Sequence, residues 1–142
     1  MRDDAGGLDS ELPRCAVVGA GRLGIALLSA LPDASGPYGR GYDGGDDEVV
    51  LLAVPDRAIA SAAAAITVRS GRLVGHCSGA TTIDVLEPHE RFGLHPLMTF
   101  SERPDVAGGT SFVGAYAAVA GSTTRAGEMA ATLARGLGME AL

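Results

Sequence analysis

The chain has 142 residues, 46% of them hydrophobic, and a formal net charge of -6. That length and apolar content suit one soluble domain with its own buried core, and the acidic balance argues against a nucleic-acid partner, which would need a basic face to neutralise phosphates. No apolar run approaches the length of a membrane span, and every basic side chain other than histidine is Arg, because the sequence contains no Lys.

The first residues, Met1 to Arg14, mix Asp, Glu, Gly and Arg without an apolar h-region. They predict a disordered tail over 1–13 and not a secretory signal, leaving 14–142 as the folded domain of a cytoplasmic protein. Cys15 and Cys77 fall in apolar runs and form no CxxC pair, which reads as two buried free thiols in a reducing compartment.

The first predicted strand is Cys15-Ala16-Val17-Val18, and Gly19-Ala20-Gly21-Arg22-Leu23-Gly24 follows it directly. A GxGxxG that ends a strand and opens a helix has the context of a dinucleotide site. Gly19 would allow the tight turn, Gly21 the close approach of backbone to a pyrophosphate, and Gly24 the packing of helix on sheet, with the diphosphate on free N–H groups at the helix's positive end. Leu23, Leu27 and Leu31 form the stripe of that helix, and Pro32 marks its end. Between Asp33 and Asp47 the chain is rich in Gly, Pro and Asp, and Ala34 to Tyr38 is too short and too broken to predict a full second strand.

Glu48 to Val54 is the clearest buried strand, closed by Pro55-Asp56, and an alanine-rich helix over about Asp56 to Val68 presents Ile59, Ala63 and Ile66 on one face. Leu73 to Cys77 is the next strand, leading through Ser78-Gly79-Ala80 to a short helix that begins near Thr81 or Thr82. Arg91 to Leu94 is a short strand before His95-Pro96. A long loop over 97–109 precedes strand-like residues around Phe112 and from Tyr116 to Ala120. Ser122 is the expected cap of a last helix with Ala126, Met129, Leu133 and Leu137 inward, stopped by Gly138. Strands alternating with helices predict an α/β, doubly wound, mainly parallel sheet. Ligands of such sheets bind outside the strands' carboxyl ends, so the glycine loop, Val54-Pro55-Asp56, Ser78-Gly79-Ala80 and His95-Pro96 are expected to converge on one crevice.

The strings VVGAGRLGIAL, VVLLAVPDRAIA, GHCSGATTIDVL and FGLHPLMTF, in this order and spacing, resemble the Rossmann-like family of the 6-phosphogluconate dehydrogenase-like superfamily. The resemblance runs from about Ala16 to Met139. It implies NAD(P)-dependent oxidation or reduction of a small molecule, and ketopantoate reduction has been proposed for some relatives; a non-catalytic nucleotide-binding module, or a remnant without its helical domain, is the competing reading. Members of that family usually join this domain to a C-terminal helical domain that completes the substrate pocket and a homodimer, and the sequence runs to Leu142, where such a domain would be expected to begin. The family's GP-x-GRG turn is present as Gly36-Pro37-Tyr38-Gly39-Arg40-Gly41, with a compressed strand before it.

For the cofactor, an Arg beyond the glycines suits a 2′-phosphate and a carboxylate suits a ribose hydroxyl. Arg40, with Arg22 in the glycine loop, favours NADP, since guanidinium forks match phosphate oxygens. Asp43 as a ribose partner for NAD is the competing reading, with both arginines merely solvated. The cluster Asp43, Asp46, Asp47 and Glu48 lacks an ion-loop pattern and reads as a solvated turn. For catalysis, hydride transfer to a carbonyl requires a proton donor at the developing alkoxide. His95 is the candidate, an imidazole beside a rigid Pro at the end of a strand being suited to proton exchange, and Gly93-Leu94-His95-Pro96 is similar to the GxHP segment of prephenate dehydrogenases, whose histidine meets the substrate hydroxyl. The lysine that many superfamily members use is absent. Ser78 could orient the same oxygen or touch the nicotinamide. A zinc site from His76, Cys77 and His95 would need three or four convergent ligands and has little support; His89 is expected to be exposed, and Met98 and Phe100 are candidates for a pocket wall or the domain edge.

Overall fold

The computed structural model describes residues 13–98 and 112–142. Phe100, most of the expected loop over 97–109 and all but the last residue of the expected tail lie outside them.

Seven strands form one sheet in the order β2-β1-β3-β4-β5-β6-β7. β1 (Cys15–Val18), β3 (Val49–Leu52) and β4 (Leu73–His76) are buried along their whole length, as runs without a polar alternate must be when helices cover both sides of a parallel sheet. The chain runs from β1 through α1 (Arg22–Ala30) to the edge strand β2 (Ser35–Tyr38), then crosses back to β3 on the other side of β1. A 3-10 turn at Asp56–Ala58 and α2 (Ile59–Ala65) lead to β4, and a 3-10 turn at Ile83–Leu86 leads to β5 (Glu90–Pro96). β6 (Tyr116–Gly121) is antiparallel to β5, and α3 (Thr124–Gly136) returns the chain to a two-residue strand, β7 (Glu140–Ala141), parallel to β6.

Two cores sandwich the sheet. On one face Leu27, Phe92, Leu94, Ala126, Ala130 and Leu133 pack α1 and α3 against the strands. On the other, Val50, Leu52, Ile59, Ala62 and Leu86 pack α2 and the second 3-10 turn. This is the doubly wound arrangement that the alternating pattern predicts.

Several local expectations are corrected. A second strand does exist: β2 pairs in parallel with β1 through Ala16–Ser35 and Val18–Tyr38, and as a half-exposed edge it tolerates the Gly and Pro that disguise it. The helix after β3 is shorter than predicted and ends at Ala65. His95 and Pro96 lie inside β5, not after it. Phe112 is a buried residue outside any strand. The cap of α3 is Thr123, whose Oγ1 accepts the Ala126 N–H at 3.0 Å; Ser122 is instead taken up by the Arg91 N–H. His89 is buried and donates from Nε2 to the Ala63 carbonyl oxygen at 2.9 Å. Met98 packs against the first core.

The acidic turn is more than a solvated bend. Arg72, 2% exposed, donates to the backbone oxygens of Asp43, Gly45, Asp47 and Thr67. Arg69 adds bonds to the Gly45, Asp46 and Asp47 oxygens from outside. A buried guanidinium is tolerable because its donors meet carbonyls. The turn it holds carries Asp47, which accepts the Tyr42 hydroxyl, and the ring of Tyr42 stacks on Tyr38.

Candidate functional site

The four strand-end segments separate into two cavities rather than one crevice. The first, about 500 Å³, is lined by Gly19, Ala20, Gly21 and Leu23 after β1, by Pro37, Tyr38, Gly39 and Arg40 at the end of β2, and by Ala53, Val54 and Pro55 after β3. It therefore sits where the strand order reverses about β1, the switch point at which open α/β sheets bind ligands. Seven of the nine predicted cofactor residues line it: Gly19, Ala20, Gly21, Leu23, Arg40, Val54 and Pro55.

The remaining two have other places. Gly24 is buried, and a Cβ there would overlap the Gly19 carbonyl oxygen, so its role is the close packing of α1 on the loop. Arg22 is exposed in the first turn of α1, outside the cavity lining. Gly19 has φ +115°, and a Cβ on it would meet the Ala53 carbonyl; both demands exclude other residues. Gly21, by contrast, faces open space. No side chain caps α1 at Gly21 and no acidic residue stands in its first turn, whereas α3 is closed by Thr123. The start of α1 thus lacks a capping side chain or a carboxylate that would compete with an anion there.

Arg40 is exposed and forms no hydrogen bond or ion pair among the described residues. Asp43 does not line the cavity, and its carboxylate accepts the Gly45 N–H at 2.9 Å. Burial first, and then the hydrogen bond and charge of Asp47, hold the Tyr42 phenol well above the ordinary tyrosine range.

The second cavity, about 340 Å³, brings together His76, Ser78, Gly79, Thr81, Thr82, Ile83, Gly93, His95 and Ala118 with their neighbours on β5 and β6. His95 and Ser78, the predicted catalytic pair, both line it. Hydrogen-bond partners fix what each group can do. The Cys77 carbonyl lies 3.1 Å from His95 Nδ1 and can only accept, so Nδ1 carries a proton and Nε2 is the basic nitrogen. That Nε2 packs against the Cα of Gly79, where a Cβ would overlap it.

His76 is arranged the opposite way. Its Nδ1 accepts the Ser78 N–H at 3.0 Å, which leaves Nε2 to donate to the Thr82 oxygen at 3.2 Å. A second proton would break the first of these bonds, whereas His95 can gain one at Nε2 and keep its anchor. Only His95 of the two is therefore suited to acid–base work, which agrees with the choice that the Gly93-Leu94-His95-Pro96 segment suggested. Ser78 Oγ accepts the Ala80 and Thr81 N–H groups, each at 3.1 Å, and retains its own proton to donate.

Neither cysteine is among the residues lining the two cavities. Burial pushes the Cys15 thiol up to about 12, with the Asp47 charge adding to it. Burial likewise raises Cys77 to about 12, with Cys15 as the smaller cause. Among the described residues no group of three or more His, Cys, Asp or Glu is placed to hold a metal ion, and no helix is long and apolar enough to cross a membrane.

A family model described as a Rossmann-like domain matches residues 44–100. In fold, the chain is a Rossmann-like α/β domain. No curated protein matches it. Among solved structures, the Rossmann-like domain is similar to a Bacteroides fragilis protein described as a candidate NADP oxidoreductase, with TM-score 0.73 and 16% identity over 92% of this chain and 59% of that one. Arogenate dehydrogenase from Synechocystis gives TM-score 0.64 and 15% identity over 91% of this chain and 58% of its own. Pyrroline carboxylate reductase from Plasmodium falciparum, solved with NADP bound, gives 0.58 and 12% over 92% and 57%. At such identities the likeness is one of fold. The Rossmann-like domain spans less than two thirds of the length of each of these three proteins.

Proposed function

We propose that this domain binds a nicotinamide dinucleotide, NADP in preference to NAD, and that His95 exchanges a proton with the oxygen of a small carbonyl or hydroxy compound held in the second cavity. The observation that carries the reading is the first cavity, built at the switch point from the loops after β1, β2 and β3. The residues fit the group: an uncapped helix start and an open Gly21 suit a diphosphate, and an unpartnered Arg40 suits a 2′-phosphate. Asp43, the alternative partner for an NAD ribose, is engaged with Gly45 and stands outside the lining. NADP as the bound cofactor of a Plasmodium relative in fold agrees with this choice.

When bound, the nicotinamide supplies or accepts a hydride at the substrate carbon. The rest falls to this chain. Leu52 and His76 are paired in neighbouring strands, so the loop after β3 that lines the first cavity adjoins Ser78 in the second. The Ser78 hydroxyl donates to the substrate oxygen, its own acceptor capacity being used by Ala80 and Thr81. In reduction, protonated His95 gives its Nε2 proton to that oxygen; in oxidation, neutral Nε2 takes the proton from the hydroxyl. Its Nδ1–H to Cys77 holds the ring in both directions. Ketopantoate and related 2-oxo acids are the first compounds to assay.

Titration calorimetry of the wild type and Arg40→Ala with NADPH and NADH tests the binding half. Arg40→Ala should weaken NADPH at least about tenfold, the loss of one charge-assisted phosphate contact, and leave NADH nearly unchanged. Equal effects on both would remove the NADP preference, and no binding of either by the wild type would remove the reading.

A further inference from the structure

We infer that Tyr38 is an aromatic platform for the adenine ring of the dinucleotide, braced from behind by Tyr42, Asp47 and Arg72. The inference rests on the dinucleotide reading above and adds to it which residue recognises the base.

Tyr38 ends β2 and lines the first cavity; Tyr42 does not line it. The two rings are parallel to within 5°, with centroids 3.8 Å apart. One face of Tyr38 is therefore covered by Tyr42, the side chain packs against the second core as well, and the residue lines the cavity from a fixed position. Tyr42 is itself held by its hydroxyl bond to Asp47, and Asp47 belongs to the turn that Arg72 secures through four backbone oxygens. A side chain with two aromatic χ angles, already immobilised, loses little freedom when a planar base docks on it.

The position suits a base rather than another part of the ligand. β2 and β3 flank β1, so Tyr38 and the apolar pair Val54-Pro55 stand on either side of the glycine loop and line the same cavity. A planar ring between them meets an aromatic face and an apolar wall, while Arg40, two residues beyond Tyr38, is left for the phosphate on the adjoining ribose. Neither tyrosine was singled out by the glycine motif, because that motif reads only the diphosphate.

The test uses adenosine 2′,5′-bisphosphate, which carries the base and both phosphates without the nicotinamide. In calorimetry, Tyr38→Leu should weaken both this probe and NADPH by about tenfold or more, the range of a lost base–aromatic stack, and Tyr38→Phe should restore affinity to near wild type. The chain has three Tyr and no Trp, so tyrosine emission gives an independent readout: saturating bisphosphate should quench part of it in the wild type, and Tyr38→Phe should lose that quenched part while still binding. Undiminished affinity in Tyr38→Leu, or wild-type emission unchanged at saturation, overturns the platform while leaving the dinucleotide site standing. A wild type that binds neither probe nor NADPH overturns both.

Discussion

His95 donates its Nδ1 proton to the Cys77 carbonyl oxygen at 3.1 Å, a bond from β5 to the end of β4 that survives a change of charge on the ring. His95→Ala should accordingly lower kcat for carbonyl reduction by about a hundredfold or more. Gly79→Ala would press a methyl group onto Nε2 and should lower kcat in the same direction while leaving NADPH affinity within about twofold, as expected for a site separate from the cofactor cavity. An unchanged kcat in His95→Ala would remove it as the acid.

Arg72→Met is expected to be among the more damaging single changes in the chain. It removes a donor shared by the Asp43, Gly45, Asp47 and Thr67 oxygens; Arg69 still serves Gly45 and Asp47 and the Thr67 N–H still serves Asp43, so the Thr67 oxygen is the one left without its donor, at a cost of about 1 to 3 kcal/mol. A loss in that range by urea denaturation is predicted, together with weaker quenching of tyrosine emission by the adenine probe. A loss below about 1 kcal/mol would show that the turn holds itself.

What was legible in the sequence follows from how each element is stabilised. β1, β3 and β4 are buried on both faces, so their continuous apolar runs announce them. The glycine loop was legible because Gly19 and Gly24 meet steric demands that no other residue satisfies. β2 was not, since an edge strand with one neighbour needs neither apolar alternation nor a full set of N–H donors. The burial of His89 and Arg72 was invisible for another reason: their partners are carbonyl oxygens, which every residue carries. The start of α3 was misplaced by one residue because Ser122 and Thr123 are both able to cap, and only the competing Arg91 N–H decides between them. At the site, the position of His95 before Pro96 and the likeness of its segment to GxHP nominated it with Ser78, but the tautomers that distinguish His95 from His76 depend on bonds to the distant Cys77 and to Ser78 and Thr82.

Thr123→Ala should cost about 1 kcal/mol, the usual loss of a helix cap, because it removes both the acceptor for the Ala126 N–H and a donor to Glu90. Ser122→Ala leaves the helix cap intact and should cost less. The reverse order in thermal unfolding would return the cap to Ser122.

Stability should fall in alkali from about pH 9. Cys15 and Cys77 are held neutral in the fold, raised from 9.0 to about 12 by burial. A raised value means that their contribution is complete below the unfolded thiol's pKa and is lost as pH rises toward the folded one. Each thiol adds a slope of up to about 1.4 kcal/mol per pH unit in that window. Replacing both by Ala should flatten the decline between pH 9 and 12 even if it lowers the starting stability; an unaltered slope would assign the decline to other groups.

The central claim is that a nicotinamide dinucleotide lies in the switch-point cavity, and the most direct measurement is the backbone amide spectrum of the isotope-labelled chain during NADPH titration. Saturable shifts are predicted at Gly19, Gly21, Leu23, Tyr38, Arg40 and Val54, with the amides of β7 and of the last turn of α3 unmoved. A spectrum that does not respond to millimolar NADPH, or that responds only away from the loops after β1, β2 and β3, would contradict it.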